Sequence, residues 1–302
     1  MRIGIMLGGS ADRFGLDDVI ARARDAEARG FHTLWVPHVF GFDAVTTCAL
    51  LGRETRRIEL GTAVVPTQPR HPTALAQQAL TAGAAAGGRF TLGIGLSHPV
   101  VVENLLGLSY ARRSRHMQEY LAVLCPLLRG EPAAFAGEEY RVQLTLQTEE
   151  APQVPVLQAA LGDRMLRLAG RLCAGTILWM TGPRTIETHI GPKLRAAARE
   201  AGRPEPRIVA GMHIVLTTKP EAAKQRIARS LAMYGQMPSY RAMLTKEGSE
   251  DPAQLALVGD EKTLDAGLER LRSLGVSDFE ASIARVEDGA EERTLAYLAS
   301  RL

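Results

Sequence analysis

Two histidines and a few loops carry the groups with which this chain could do chemistry. His38 closes the run Trp35-Val36-Pro37-His38, directly after a short apolar segment. An imidazole titrates at about pH 6.5, so His38 suits proton transfer, although a histidine so placed can also only pack. His98 lies in Gly93-Ile94-Gly95-Leu96-Ser97-His98-Pro99. Gly-x-Gly after a strand opens a dinucleotide fingerprint, but the third glycine is missing and Pro99 stands where a helix should start, so the match is weak. In Ala159-Ala160-Leu161-Gly162-Asp163-Arg164-Met165 a glycine stands at the mouth of a helix. First-turn amides reinforced by the helix dipole suit a phosphate there, whereas the Asp163 carboxylate can cap the helix itself and repel an anion. Leu178-Trp179-Met180-Thr181-Gly182 offers an aromatic wall and a hydroxyl, or else a core tryptophan. Arg112, Arg113 and Arg115 open a helix and either meet the anionic tail of a cofactor or form a solvated face.

The elements that must hold these residues follow one rhythm. Short apolar runs recur at residues 2–7, 33–36, 58–65, 90–95, 154–160, 175–180, 208–216 and 278–283, and helical periodicity follows each, the pattern of a parallel sheet with crossover helices. The first helix shows an apolar stripe of Leu16, Val19, Ile20 and Ala23, with Asp17 and Asp18 in its first turn and Gly30 at its end. The fifth shows Met165, Leu166, Ala169, Leu172 and Cys173 on one face, and the last crossover shows Leu264, Leu268, Leu271 and Leu274 before Gly275. Gly191-Pro192 predicts a kink in the sixth. Strand starts at 90 and 154, and at 208 and 278, lie 64 and 70 residues apart, so both gaps must hold insertions.

Composition narrows the chemistry further. Basic and acidic residues number 36 and 33, a net charge of +3 that leaves no broad footprint for nucleic acid or for a membrane surface. Cys48, Cys125 and Cys173 are far apart in sequence and odd in number, which argues against a disulfide framework or a cysteine metal site and for a reducing cytoplasm. The seven histidines show no His-Glu-x-x-His spacing, and no Gly-x-Ser-x-Gly elbow or Walker loop occurs, so metal, hydrolase and kinase readings have no carrier. Ile3 to Leu7, ending in Gly8-Gly9, is too short for a signal-peptide core, and residues 72–88 carry too many polar groups for a membrane span.

The stretch Gly61-Thr62-Ala63-Val64-Val65-Pro66-Thr67-Gln68-Pro69-Arg70-His71-Pro72, an Ala-rich helix, and Gly88-Arg89-Phe90-Thr91-Leu92-Gly93-Ile94-Gly95-Leu96-Ser97 together resemble the third and fourth strand-and-loop units of the luciferase-like family. Phe135-Ala136-Gly137-Glu138-Glu139-Tyr140, after Leu127-Leu128-Arg129-Gly130, is a further family feature. These are flavin or deazaflavin oxidoreductases, and the resemblance implies an α/β fold: one (β/α)8 TIM-barrel domain over residues 1–302, with insertions after strands 4 and 7. The site would then lie at the carboxyl ends of the strands. His38 would face the redox ring as acid or base, with Pro37 in place of the usual acidic neighbour. His98 stands near a glutamate acid of the family's sugar-phosphate dehydrogenases, so glucose 6-phosphate is not the expected substrate and His98 becomes a second proton-transfer candidate. Ala63-Val64 matches a non-prolyl cis pair that backs the ring. Gly95, Leu96, Ser97 and His98 would approach or donate to the cofactor, Ala160, Leu161, Gly162 and Asp163 would meet its phosphate or ribityl region, and Trp179 and Thr181 would wall the pocket.

The resemblance allows two cofactors, flavin mononucleotide (FMN) with oxygen or the deazaflavin coenzyme F420, a two-electron hydride carrier. The strand end at Gly61–Val64, the loops bearing Ser97 and Gly162, and an Arg-rich composition with only five lysines favour F420. The expected activity is hydride transfer between F420 and a small organic substrate. An FMN-dependent monooxygenase and a non-catalytic cofactor-binding relative are the alternatives. A homodimer is expected, with residues 235–260 as a mobile cover over the substrate.

Overall fold

Eight short strands pair edge to edge, and the last pairs back to the first. The structure is a computed structural model that describes residues 1–7, 14–148 and 151–302. The strands are β1 (Arg2–Met6), β2 (Thr33–Val36), β3 (Glu59–Thr62), β4 (Phe90–Gly95), β5 (Val156–Gln158), β6 (Gly175–Trp179), β7 (Arg207–Leu216) and β8 (Asp278–Ile283). All are parallel to their neighbours, and β8 closes on β1 with Gly4 opposite Glu280. This is the expected (β/α)8 barrel. Gly8 and Gly9, which end the first apolar run, lie outside the described residues.

The covering helices are α1 (Leu16–Ala28), α2 (Ala44–Glu54), α3 (Pro72–Ala85), α4 (Arg113–Leu128), α5 (Asp163–Leu172), α6 (Gly191–Glu200), α7 (Pro220–Gln236), α8 (Pro238–Glu247), α9 (Glu261–Ser273) and α10 (Ala290–Ala299). The predicted stripes face the sheet: α1 buries Val19, Ala23 and Ala26, α5 buries Leu166 and Ala169, and α9 buries Leu264, Leu268 and Leu271. Each such leucine stabilises the fold by about 1.5–3 kcal/mol relative to an exposed one. Leu16 departs from the expected stripe and is exposed. The kink expected near Gly191 is a five-residue π-helical segment, Ile186–Ile190, running into α6. Among the described residues no helix is long and apolar enough to cross a membrane.

The barrel interior is layered. At the amino ends of the strands Arg207 binds Asp278 at 2.8 Å and Glu59 at 3.0 Å, and Arg2 joins Glu59 at 2.6 Å. Above this floor the Trp35 indole fills the centre, over Gly61, where a Cβ would stand 2.3 Å from its ring. Leu157, Ile177 and Val209 pack around it. Glu280 shares this layer, 1% exposed. At the carboxyl ends, Trp179 and His213 stack edge to face with centroids 5.3 Å apart.

Both insertions are present. After β4 come a π-helical segment (Val100–Leu105), α4, and an antiparallel hairpin of Ala133–Ala136 with Arg141–Leu144. After β7, α7 and α8 meet at a corner at Met237, followed by a short strand, Leu257–Gly259, that pairs with the end of β7. Cys125 and Cys173, far apart in sequence, share a thiol hydrogen bond between α4 and the end of α5.

Candidate active site

The third strand is shorter than its apolar run. β3 stops at Thr62, the Ala63-Val64 peptide is cis, and Val65–Pro66 resumes pairing against Ile94 and Gly95. Sterics on β4 decide where the chain leaves the ladder. The Thr62 hydroxyl accepts from the Gly93 amide at 2.9 Å and donates to the Gly93 carbonyl at 2.8 Å, which draws the two backbones together. A Cβ on Gly93 would lie 1.9 Å from the Thr62 carbonyl oxygen, and one on Gly95 would lie 2.7 Å from Val64 Cγ2. Small residues in this loop therefore make room for the Ala63-Val64 bulge, and it is Val64 that fills the open face of Gly95.

His38 follows β2 beside the start of α2. The Ala44 amide donates to its Nδ1 at 3.2 Å, and Arg70 Nη1 approaches Nε2 at 3.4 Å. Both nitrogens thus face donors, and a protonated ring has a lone pair for neither. Burial and then the Arg70 charge lower the pKa of His38 below the ordinary histidine value, with Asp43 opposing them. Asp43 is the N-cap of α2: its Oδ1 accepts from the Thr46 amide at 2.8 Å, while Oδ2 binds Arg70 and lies 3.6 Å from His38 Nδ1. An acidic orienting group is therefore supplied from five positions beyond His38, where Pro37 could not supply one.

The loop after β4 places Ser97 in the left-handed region at φ 59°, uncommon for a residue with a side chain. Tyr110 donates to the Ser97 carbonyl at 3.1 Å and holds the loop there. Leu96, Ser97 and His98 are half-buried along it. After β5, Gly162 is the N-cap of α5 with no side-chain cap, and Asp163 turns to Lys193 Nζ at 2.6 Å. The Asp163 carboxylate is thus neutralised by a lysine and does not cap the helix. Leu161 is half-buried with its carbonyl 2.8 Å from His189 Nε2, and the Ala160 side chain is buried toward the helices. Trp179 is half-buried at the mouth, and the buried Thr181 hydroxyl donates back to the Trp179 carbonyl at 3.4 Å.

Beside Tyr110 opens a cavity of about 510 Å³ lined by Arg112, Arg113, Ser114, Arg115 and Arg164. Arg112 and Arg115 pair with Glu138, whereas Arg113 lies over the Tyr110 ring and, like Arg164, has no carboxylate partner among the described residues. Both open readings of the arginine cluster are thus realised, one on each side. Sequence reasoning passed over Asp43, Arg70, Tyr110, Arg164, Tyr234 and Tyr240. Only Asp43 carried a local signal, as an N-cap residue before a helix.

The family model described as luciferase-like monooxygenase matches residues 1–296. The chain belongs to that family. This luciferase-like protein is 30% identical over 278 residues to an F420-dependent glucose-6-phosphate dehydrogenase of Nakamurella multipartita, covering 86% of this chain and 80% of the relative. It is 30% identical over 253 residues to a Mycobacterium tuberculosis protein provisionally named a coenzyme F420-dependent oxidoreductase, with 78% and 72% covered. The solved coenzyme F420-dependent tetrahydromethanopterin reductase from Methanopyrus kandleri superposes with a TM-score of 0.83 at 19% identity, covering 100% of this chain and 98% of that one, which shows the shared fold.

Proposed function

We propose that this luciferase-like protein is an oxidoreductase that moves a hydride between coenzyme F420 and a small organic substrate. The observation that carries the reading is its kinship, over most of both lengths, with relatives named for F420. The site is chemically suited to such a group. A bulge at Ala63-Val64 and the wall at Trp179 flank the mouth, and the cavity lined by Arg113 and Arg164 matches the anionic part of a phosphate-bearing cofactor. The cofactor supplies the hydride chemistry; the protein positions the reactants, excludes water and handles the proton.

Equilibrium titration of the purified protein with F420 and with FMN, followed by absorbance and fluorescence, tests this reading. F420 saturates at the lower concentration; the reverse order would replace it with a flavin-dependent monooxygenase. Arg113→Ala and Arg164→Ala each weaken F420 binding about tenfold, the size of one charge-assisted hydrogen bond, and flatten its salt dependence. Unchanged affinity in both variants would place the anionic part of the cofactor elsewhere.

His38 is the proposed proton-handling group. His38→Ala lowers turnover about 100-fold with F420 affinity preserved. The neutral ring is the competent form, and its pKa is lowered, so the acid limb of the rate profile lies below pH 6.5. An acid limb above that value would remove His38 from the role.

A further inference from the structure

Three rings from distant parts of the chain close over the loop after β4. His98 stands 6.1 Å from Tyr234 and 5.7 Å from Tyr240, and the two tyrosines meet edge to face at 5.4 Å. Tyr234 lies in the last turn of α7 and Tyr240 in the first turn of α8, so the corner at Met237 brings both rings together. They pack with Leu161, Trp179 and Met180, which come from the loops after β5 and β6. The cluster thus joins three of the loops that form the mouth of the barrel. Tyr240 is 9% exposed and its hydroxyl binds no protein group, yet that hydroxyl is not sealed in as the Tyr120 hydroxyl is.

No charge acts on this cluster. Burial alone lowers the His98 pKa and raises that of Tyr234, and the only electrostatic neighbours of Tyr240 are Tyr234 and Tyr110. A carboxylate or phosphate seated here would lose its hydration and meet no counter-charge. A neutral oxygen would lose little and gain a phenol donor. Around the cluster the strand-end segments expose Phe40, Val100, Leu105 and Met233, an apolar rim suited to an apolar body.

We propose that Tyr240, flanked by Tyr234 and His98, binds the reacting oxygen of the substrate, and that the substrate is an uncharged carbonyl compound or its alcohol with an apolar body. The inference rests on the hydride-transfer reading above. In the reducing direction the carbonyl carbon gains a C–H bond with both hydride electrons, the π pair of the C=O bond moves to oxygen, and that oxygen takes the Tyr240 phenol proton. Solvent restores the proton to Tyr240, and the net change is carbonyl plus hydride plus proton to alcohol.

The test uses the full chain with reduced F420 and three neutral ketones, 2-butanone, cyclohexanone and acetophenone, against the charged 4-oxocyclohexanecarboxylate. At least one neutral ketone is reduced, the carboxylate is not, and Tyr240→Phe lowers kcat/KM about tenfold or more while F420 affinity is unchanged. Tyr234→Phe, which keeps its ring, has a smaller effect. Ketone binding to the cofactor-free protein, measured by saturation-transfer NMR, provides the second readout and is weakened by Tyr240→Phe. Preference for the carboxylate, no binding of any ketone, or an indifferent Tyr240→Phe each overturn the proposal. If F420 itself does not bind, the cofactor reading fails, and the cofactor-free measurement still decides the oxygen site.

Discussion

Gly93→Ala lowers both the melting temperature and the F420 affinity of this protein, and Gly95→Ala lowers chiefly the affinity. The two glycines differ in what an added methyl group meets. At Gly93 the nearest atom, at 1.9 Å, is the Thr62 carbonyl oxygen, part of a backbone that the Thr62 hydroxyl ties to Gly93 through two hydrogen bonds. Relief requires β3 and β4 to spread beside the Gly61–Thr91 pairing, an overpacking that costs about 1–3 kcal/mol or more. At Gly95 the nearest atoms are Val64 Cγ2 at 2.7 Å and Ala159 Cβ at 3.3 Å. Val64 can turn away, so the fold survives, but the bulge behind the mouth is displaced. Thermal melts and F420 titrations of the two variants check the ordering. A Gly93→Ala protein that melts with the parent would show that the strands separate freely here and that the Thr62–Gly93 bridge holds nothing in place.

The barrel was legible because its outward-facing strand residues and the helix stripes that cover them repeat with periods a linear reading can detect. Val19 and Ala23 on α1, Leu166 and Ala169 on α5, and Leu264 and Leu268 on α9 announce their faces without knowledge of the partner. The third strand shows the limit. Its apolar run continues through Val65, and nothing local reveals that the chain must leave the ladder at Ala63 to clear β4. His38 was legible through its place at a strand end, but its environment was not. Asp43 and Arg70 reach it through the α2 cap and the loop after Pro66, contacts made only on folding. The Tyr234–Tyr240 pair is invisible for the same reason, since more than 130 residues separate it from His98. Polar residues inside the barrel escaped too, because the period of two along β8 says that Asp278, Glu280 and Ser282 share a face without saying which face is inward.

Glu280→Gln raises the stability of the protein at pH 8 far more than at pH 5. Glu280 is buried in the middle layer of the barrel, where a Cβ on Gly211 would stand 2.6 Å from its Oε2, and its Oε1 has no hydrogen-bond partner. Among the described residues no cation pairs with it, and burial pushes its pKa up to about 8. The sign follows from where the proton sits in each state. Below the ordinary glutamate value both folded and unfolded chains hold the proton, and Glu280 has no pH-dependent effect. As pH rises from about 4.5 toward 8 the unfolded chain ionises while the folded chain does not, so stability falls by about 1.4 kcal/mol per unit, and the loss levels off once both forms are ionised. A glutamine of the same shape cannot ionise and escapes this loss. Melting curves of parent and variant from pH 4.5 to 9 therefore converge at the acid end and diverge by several degrees at the alkaline end, at about 2 °C per kcal/mol for a chain of this size. Parallel curves across that range would mean that Glu280 is ionised in the folded barrel and that water or a cation reaches it.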